Sequence, residues 1–180
     1  YKRQSHRSIE FKKIYESCDY KLRSFLDIPE NYNISFLSSA NEIWERIIQN
    51  LVINSSSHLV NGAFSKKFHD FALLNKINAT QYFYDKVEYD INEIEEDELI
   101  AITLNETSSG IMCDSNKISS IRKKLSNSLI ALDCVSGIPS IPFNVSDVDT
   151  FYFSVQKCFG LPSGLGVWIY NDRCLEKNKS

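Results

Sequence analysis

The fold is decided by two short apolar runs, Leu99-Ile100-Ala101-Ile102-Thr103-Leu104 and Ser128-Leu129-Ile130-Ala131-Leu132-Asp133. Each has the length and the continuous apolar character of a strand that is buried on both faces of a sheet. Between them, residues 118–125 form a basic segment that predicts a helix. A strand, a helix and a second strand in this order favour two parallel neighbours in one sheet.

The same alternation of elements continues on both sides of these runs. Apolar residues at helical or strand-like spacing predict helices over 9–27, 41–52 and 64–75, and strands over 34–37, 57–60, 79–84, 151–154 and 164–170. Strands that alternate with helices predict an α/β fold, a three-layer sandwich around a mixed, mainly parallel sheet.

Composition excludes several classes of partner. The 180 residues are 43% hydrophobic and 24% charged, with a net charge of −3, which is ordinary for a soluble globular protein. A slightly acidic chain gives no reason to expect nucleic acid or an anionic membrane as a partner. No apolar run approaches the roughly 20 residues of a membrane span.

The five cysteines form no CxxC pair, and no histidine lies at metal-binding spacing from them. Cys18, Cys113 and Cys134 sit in otherwise apolar stretches. This pattern indicates reduced, mostly buried thiols in a cytoplasmic protein without a structural metal.

The two ends suggest a piece of a longer protein. The chain starts without a methionine, on a loop that enters a helix, and stops at Lys177-Asn178-Lys179-Ser180, where another helix seems to begin. We therefore expect one domain over residues 1–180 and further chain outside it.

The residues just past the strands are the candidates for a ligand site, because open α/β sheets bind ligands beyond the carboxyl ends of their strands. Small residues at 38–40 precede a helix, where backbone N–H groups favour an anion. Phe64 offers an aromatic face, Asp133 ends an apolar strand, and Lys157 follows another strand. Each feature alone also has an ordinary structural explanation, so the pattern by itself predicts only a strand-end ligand site.

Four blocks of sequence, in order along the chain, resemble those of class V aminotransferases, and most closely the phosphoserine aminotransferases. The segment Phe153-Ser154-Val155-Gln156-Lys157-Cys158-Phe159-Gly160-Leu161-Pro162-Ser163-Gly164-Leu165-Gly166 resembles the family's S-x-Q-K…G-x-x-G-L-G signature. The segment Ser5-His6-Arg7-Ser8-Ile9-Glu10-Phe11 resembles the family's SHR-x-x-E-F motif, and Asn105-Glu106-Thr107-Ser108-Ser109-Gly110 resembles its NET-x-x-G motif. The fourth block, Asp133-Cys134-Val135-Ser136 followed by Ile141-Pro142-Phe143-Asn144-Val145, resembles the family's D-x-S-S…P-x-D-V stretch.

The resemblance implies a role for each matching residue around the cofactor pyridoxal 5'-phosphate (PLP). Lys157 matches the Schiff-base lysine, and Asp133 matches the partner of the pyridine nitrogen. Thr107 matches the threonine beside the ring and its hydroxyl, and Gln156 matches the glutamine near the phosphate.

Further matches concern the phosphate, the ring face and the substrate. Ser39 and Ala40 fall where the family's glycine-rich turn offers N–H groups to the cofactor phosphate. Phe64 replaces the usual stacking tryptophan, and Ser38-Ser39 replaces a Gly-Gly pair. His6 and Arg7 match the entry motif that binds the acidic substrate, for which a fork-shaped guanidinium is suited.

The resemblance therefore implies a PLP-transferase of fold type I, of which residues 1–180 are part of the large domain, without the small C-terminal domain and the N-terminal edge. It implies a homodimer that transfers an amino group between an amino acid, phosphoserine or glutamate, and a 2-oxo acid in serine biosynthesis. Three alternatives stay open: an alanine–glyoxylate-type transaminase, a cysteine desulfurase, and a non-catalytic scaffold of the same fold. A nucleotide-binding domain is disfavoured because neither G-x-G-x-x-G nor a P-loop is present.

Overall fold

The computed structural model describes residues 5–84 and 90–178. Five helices and nine strands lie in these ranges: α1 (Ile9–Phe25), β1 (Tyr32–Leu37), α2 (Ala40–Leu51), β2 (Ser55–Val60), α3 (Ala63–Leu74), β3 (Asn78–Phe83), β4 (Leu99–Thr103), β5 (Asn105–Glu106), β6 (Ile111–Met112), α4 (Ser115–Lys124), β7 (Leu129–Asp133), β8 (Thr150–Ser154), β9 (Gly166–Asn171) and α5 (Asp172–Asn178).

Seven of the strands form one mixed sheet in the order β1-β9-β8-β7-β4-β2-β3. The pairs from β3 through β2, β4 and β7 to β8 are parallel, while β9 is antiparallel to both of its neighbours, β8 and β1, so it alone runs against the other six strands of this sheet. Helices α2, α3 and α5 contribute to the apolar core on one face, and α4 and the end of α1 pack on the other. The predicted three-layer α/β architecture with a mainly parallel sheet is confirmed.

Two features differ from the sequence-based expectations. Strands β5 and β6 pair as a small antiparallel hairpin. This hairpin could not be predicted, because a strand of two residues is too short to show a periodic pattern. Helix α1 has apolar residues at helical spacing, but none of its residues is buried by the described part of the chain.

The cysteines partly follow the prediction. Among the described residues all five are free thiols, and Cys113, Cys134 and Cys174 are buried. Cys18 is exposed, so its predicted burial is wrong: it lies on α1, whose apolar side the described chain leaves uncovered. Within residues 5–84 and 90–178, no helix combines the length and apolar character needed to cross a bilayer.

The register of the central strands places three side chains in a row. Thr103 of β4 pairs with Asp133 of β7, and Asp133 pairs with Tyr152 of β8. Because side chains alternate between the faces of a sheet, all three point to the face that carries α2 and α3. These residues lie at or near the carboxyl ends of parallel strands, where the site is expected.

Asp149, just before β8, is the centre of a buried charge cluster. It is 2% exposed and binds Arg122 and Arg173, and it accepts hydrogen bonds from the side chain of Asn171 and the amide of Ile130.

We expect Asp149→Asn to lower the free energy of unfolding by about 3 kcal/mol, because it leaves two arginines without their buried counter-charge. Urea unfolding of the variant measures this loss. The exposed Asp172→Asn is the control and should cost less than about 1 kcal/mol; equal losses in the two variants would refute the role of Asp149.

Candidate active site

A cavity of about 310 Å³ opens at the carboxyl ends of the central strands. It is at the lower end of the range of small-molecule sites. All residues predicted to bind the cofactor line this cavity, namely Ser39, Ala40, Phe64, Thr107, Asp133, Gln156 and Lys157. The other lining residues are Asn41, Trp44, Thr103, Asn105, Val135, Ser136 and Ser154. Five separate segments of the chain therefore converge on one concave surface.

Lys157 lies in the turn that follows β8. Its amide donates to the carbonyl of Ser154 at 3.5 Å, and its own carbonyl accepts from Gly160 at 3.0 Å. Gly160 has φ 64°, a left-handed conformation that glycine adopts without strain. The Lys157 side chain is exposed at the mouth of the cavity, so its amine can reach a molecule seated there.

Asp133 forms the inner wall of the cavity and is only 6% exposed. Its carboxylate accepts a hydrogen bond from the amide of Val135 at 2.9 Å. Burial raises the pKa of Asp133 to about 6, and the hydrogen bonds from Val135, Tyr152 and Trp44 oppose that rise. A buried carboxylate that stays ionised near neutral pH is suited to a cationic N–H group.

The turn before α2 offers backbone donors for an anion. Ser39 caps the helix, and its hydroxyl accepts from the amide of Glu42 at 3.2 Å, while the amide of Ala40 donates to Ser154 at 3.3 Å. Among the described residues, the amides of Ser39 and Asn41 have no acceptor. These two N–H groups at the positive end of α2 are chemically suited to a phosphate.

Glu106 joins the start of α3, which carries Phe64, to the turn that carries Thr107. It is 0% exposed, and its carboxylate accepts from the amides of Phe64 at 3.1 Å and Ser65 at 2.8 Å and from the hydroxyl of Ser108 at 2.7 Å. Burial would raise the pKa of Glu106, but hydrogen bonds from Ser108 and Ser65 outweigh it and lower the pKa.

Gly62 is required by this arrangement. A Cβ at position 62 would lie 2.4 Å from Cγ of Glu106 and 2.4 Å from the hydroxyl of Ser108. The carboxylate therefore caps α3 and fixes the positions of Phe64 and Thr107 relative to each other.

We expect Glu106→Gln to lower the free energy of unfolding by about 2–3 kcal/mol, because the amide cannot accept the bonds at the start of α3 as a charged carboxylate does. Chemical denaturation measures the loss. The exposed Glu30→Gln is the control and should be nearly neutral; a Glu106 variant as stable as this control would disprove the capping role.

Asp133 makes the stability of the cofactor-free protein depend on pH. The pKa of its carboxyl is about 6 when folded, against an ordinary value of 3.8, so the folded state binds more protons between these pH values. This contribution to the free energy of unfolding therefore decreases as the pH rises from 4 to 6.

In Asp133→Asn this decrease is absent. As the pH rises from 4 to 7, the free energy of unfolding of the variant should therefore increase by about 3 kcal/mol relative to that of the wild type. Urea unfolding of both proteins at the two pH values checks the sign, and a stability difference that is the same at both would contradict it.

His6 and Arg7 do not lie at this cavity. Both are exposed and line a shallow cleft with the first turns of α1, including Phe11 and Tyr15. The substrate-binding role that the resemblance implies for them stays a prediction.

Several cavity-lining residues have no role assigned from the sequence, namely Asn41, Trp44, Thr103, Asn105, Val135, Ser136 and Ser154, although Asn105, Val135, Ser136 and Ser154 lie in strand-end segments that the sequence marks as candidates. Trp44 is assigned by periodicity to the apolar face of α2, and nothing in its spacing shows that its edge reaches a cavity. Thr103 could have been found, because it lies one residue before the end of a predicted strand. Ser154 lies within the quoted lysine motif.

Comparison with known proteins agrees with this geometry. All of residues 1–180 match the family Aminotransferase class-V. The chain is 30% identical over 177 residues to a phosphoserine aminotransferase of Rhodococcus opacus, covering 96% of this chain and 46% of the relative. The crystal structure of a phosphoserine aminotransferase from Cytophaga hutchinsonii is similar with a TM-score of 0.93 and 45% identity, over 98% of this chain and 50% of that one.

A PLP-bound phosphoserine aminotransferase from Trichomonas vaginalis has a TM-score of 0.80 over 97% of this chain and 53% of its own, and at 24% identity it shows the fold alone. The predicted fold class, PLP-transferase fold type I, is confirmed by these neighbours. The chain spans about half the length of the relatives it matches. By its sequence and its fold, the chain belongs to the class V aminotransferase family.

Proposed function

We propose that the full-length protein is a PLP-dependent aminotransferase that transfers an amino group between phosphoserine or glutamate and a 2-oxo acid, in serine biosynthesis. The observation that carries the proposal is one cavity lined by both Lys157 and the buried Asp133. The similarity to phosphoserine aminotransferases over nearly the whole chain supports the choice of substrate.

The residues of this chain fit the cofactor. Asp133 would pair with the ring nitrogen, Phe64 would pack on the ring, and Thr107 would contact the ring hydroxyl. The amides of Ser39 and Asn41, with Gln156, would hold the phosphate. When bound, PLP supplies an electron sink for the charge that develops at the substrate Cα.

Lys157 has two tasks in this proposal. Its amine would hold the cofactor covalently, and in its free form the same amine would move the proton at the substrate Cα as a general base and acid. Its place at the exposed mouth of the cavity allows it to serve both.

The cofactor assignment is tested by the purified full-length protein. We expect a yellow protein in which borohydride fixes the cofactor to the peptide that contains Lys157. A protein that remains colourless after incubation with PLP, or a label on another lysine, would refute the assignment and favour the non-catalytic scaffold.

The substrate assignment needs a separate assay. We expect transfer from phosphoserine to 2-oxoglutarate to exceed transfer from alanine to glyoxylate by at least about tenfold, because a site with a charged contact to the substrate rejects an analogue that lacks it. Comparable rates with unphosphorylated substrates would reject phosphoserine, and release of sulfide from cysteine would indicate a desulfurase.

We also propose that residues 1–180 are part of the large domain of a cytoplasmic homodimer, with His6 and Arg7 binding the acidic substrate in the assembled enzyme. The free thiols support a reducing compartment. The exposed apolar side of α1, which includes Ile9, Ile14 and Phe25, supports further contacts in the assembly. Light scattering of the full-length protein should give the mass of a dimer.

A further inference from the structure

Two buried side chains lie directly behind Asp133. The indole N–H of Trp44 donates to the hydroxyl of Tyr152 at 2.6 Å. Tyr152 is 0% exposed and Trp44 is 3% exposed. Tyr152 is the cross-strand neighbour of Asp133 on the same face of the sheet, and both Tyr152 and Trp44 act to lower the pKa of the Asp133 carboxyl. These three residues come from α2, β7 and β8 and are brought together only by the fold.

The indole decides the direction of the tyrosine hydroxyl. An indole N–H is a donor only, so the Tyr152 oxygen must accept the bond from Trp44. The single proton of that hydroxyl is then left for another acceptor, and the carboxyl of Asp133, the cross-strand neighbour of Tyr152, is the group whose charged form it favours. Asp133 therefore has Tyr152 beside it on the neighbouring strand and accepts a hydrogen bond from the Val135 amide at 2.9 Å.

Aromatic packing holds this arrangement in place. The Trp44 ring stacks on Phe68, with centroids 5.6 Å apart and an interplanar angle of 14°. Phe68 in turn meets Tyr152 edge to face at 6.3 Å. Side chains that are buried and interlocked in this way keep one rotamer, so the Asp133 carboxylate has a fixed orientation toward the cavity.

We propose that Tyr152 and Trp44 are positioning residues, which aim the Asp133 carboxylate at the ring nitrogen of PLP and keep it charged. This inference rests on the proposed function. Neither residue touches the reacting atoms in this account, because both act through Asp133. Two other ionisable groups act here: Glu106 raises the pKa of Asp133, and Cys134 raises the pKa of Tyr152.

The test uses full-length protein loaded with PLP that carries ¹⁵N in its ring. We expect the wild-type ¹⁵N signal to be that of a protonated nitrogen at pH 7.5. In Tyr152→Phe the carboxylate loses a charge-stabilising donor and should hold protons more tightly by about one to two pKa units. The ring nitrogen should then shift toward the unprotonated signal.

Trp44→Phe keeps the stacked ring and frees the tyrosine hydroxyl to rotate, so we expect a smaller shift in the same direction. If Tyr152→Phe does not fold, this variant decides the question. In both, kcat should fall, by roughly tenfold in Tyr152→Phe, while KM for the amino acid stays nearly constant.

Two matched controls remove similar groups elsewhere. Tyr32→Phe deletes a buried hydroxyl that donates to the carbonyl of Val145 at 2.8 Å. Trp168→Phe deletes an indole N–H that donates to Thr150 at 2.6 Å. Both controls should lose stability and leave the ¹⁵N signal unchanged.

The outcomes separate the inference from the proposed function. Wild-type protein that takes up no PLP at Lys157 would overturn the proposed function and the inference with it. Wild-type protein that binds PLP there, with unchanged ¹⁵N signals in both Tyr152→Phe and Trp44→Phe, would overturn the inference alone. A shift in the controls as large as in the variants would also overturn it.

Discussion

Replacing Lys157 with alanine should abolish covalent attachment of PLP and lower the rate of amino-group transfer by roughly 10⁴-fold. Under the proposed function, the variant loses both the amine that would hold the cofactor and the group that would move the proton at the substrate Cα. Because Lys157 is exposed in a turn after β8, its removal should cost little stability. Loss of activity without unfolding is therefore the expected result.

Three measurements establish this result. Single-turnover kinetics report the rate, thermal unfolding reports the stability, and mass spectrometry after borohydride reports the covalent link. Lys123→Ala, an exposed lysine on α4, is the control and should keep full activity. A Lys157→Ala enzyme that retains more than about a hundredth of the wild-type rate would show that another base moves the proton.

Replacing Asp133 with asparagine should lower kcat by roughly 10²–10³-fold, because the transition state loses the buried charge that keeps the cofactor ring protonated. The neutral amide of asparagine cannot stabilise a pyridinium as a carboxylate does. Lys157 is unchanged in this variant, so borohydride should still fix the cofactor to it. The two variants therefore separate attachment of the cofactor from its activation.

The rate of the half-reaction with the amino acid and the ¹⁵N signal of the ring should change together in Asp133→Asn. Asp133→Glu keeps the charge and serves as the partial rescue. If Asp133→Asn reacts as fast as wild type, the carboxylate is not the partner of the ring nitrogen, whatever its place in the cavity.

The sequence predicts the layers of the fold well, and the reason is physical. Strands β4 and β7 are buried on both faces, so each is a continuous apolar run. Helix α2 has one strictly apolar side because it packs on the sheet along its whole length. The burial of such elements can therefore be predicted from their own residues.

The same reasoning finds Asp133 and Lys157 as strand-end residues, because the end of a strand can be located from its apolar run. Their chemistry came from the resemblance and not from spacing. The α2 turn was predicted as an anion site, but the bond from Ala40 to Ser154 could not be, since these residues are far apart in sequence.

Contacts across the fold explain the remaining misses. Glu106 lies in a motif that was recognised, yet its role as the cap of α3 depends on the close approach of Gly62. The bond between Trp44 and Tyr152 joins a helix to a distant strand. A single sequence contains no signal for such long-range pairs, because neither residue type nor local spacing requires them.

The central claim is that Lys157 and Asp133 hold opposite sides of one PLP ring, and a crystal structure of the full-length protein with PLP tests it most directly. We predict continuous electron density from the Lys157 Nζ to the cofactor, and a carboxylate oxygen of Asp133 within about 3 Å of the ring nitrogen. Cofactor bound elsewhere, or a ring nitrogen beyond hydrogen-bonding distance of Asp133, would contradict it.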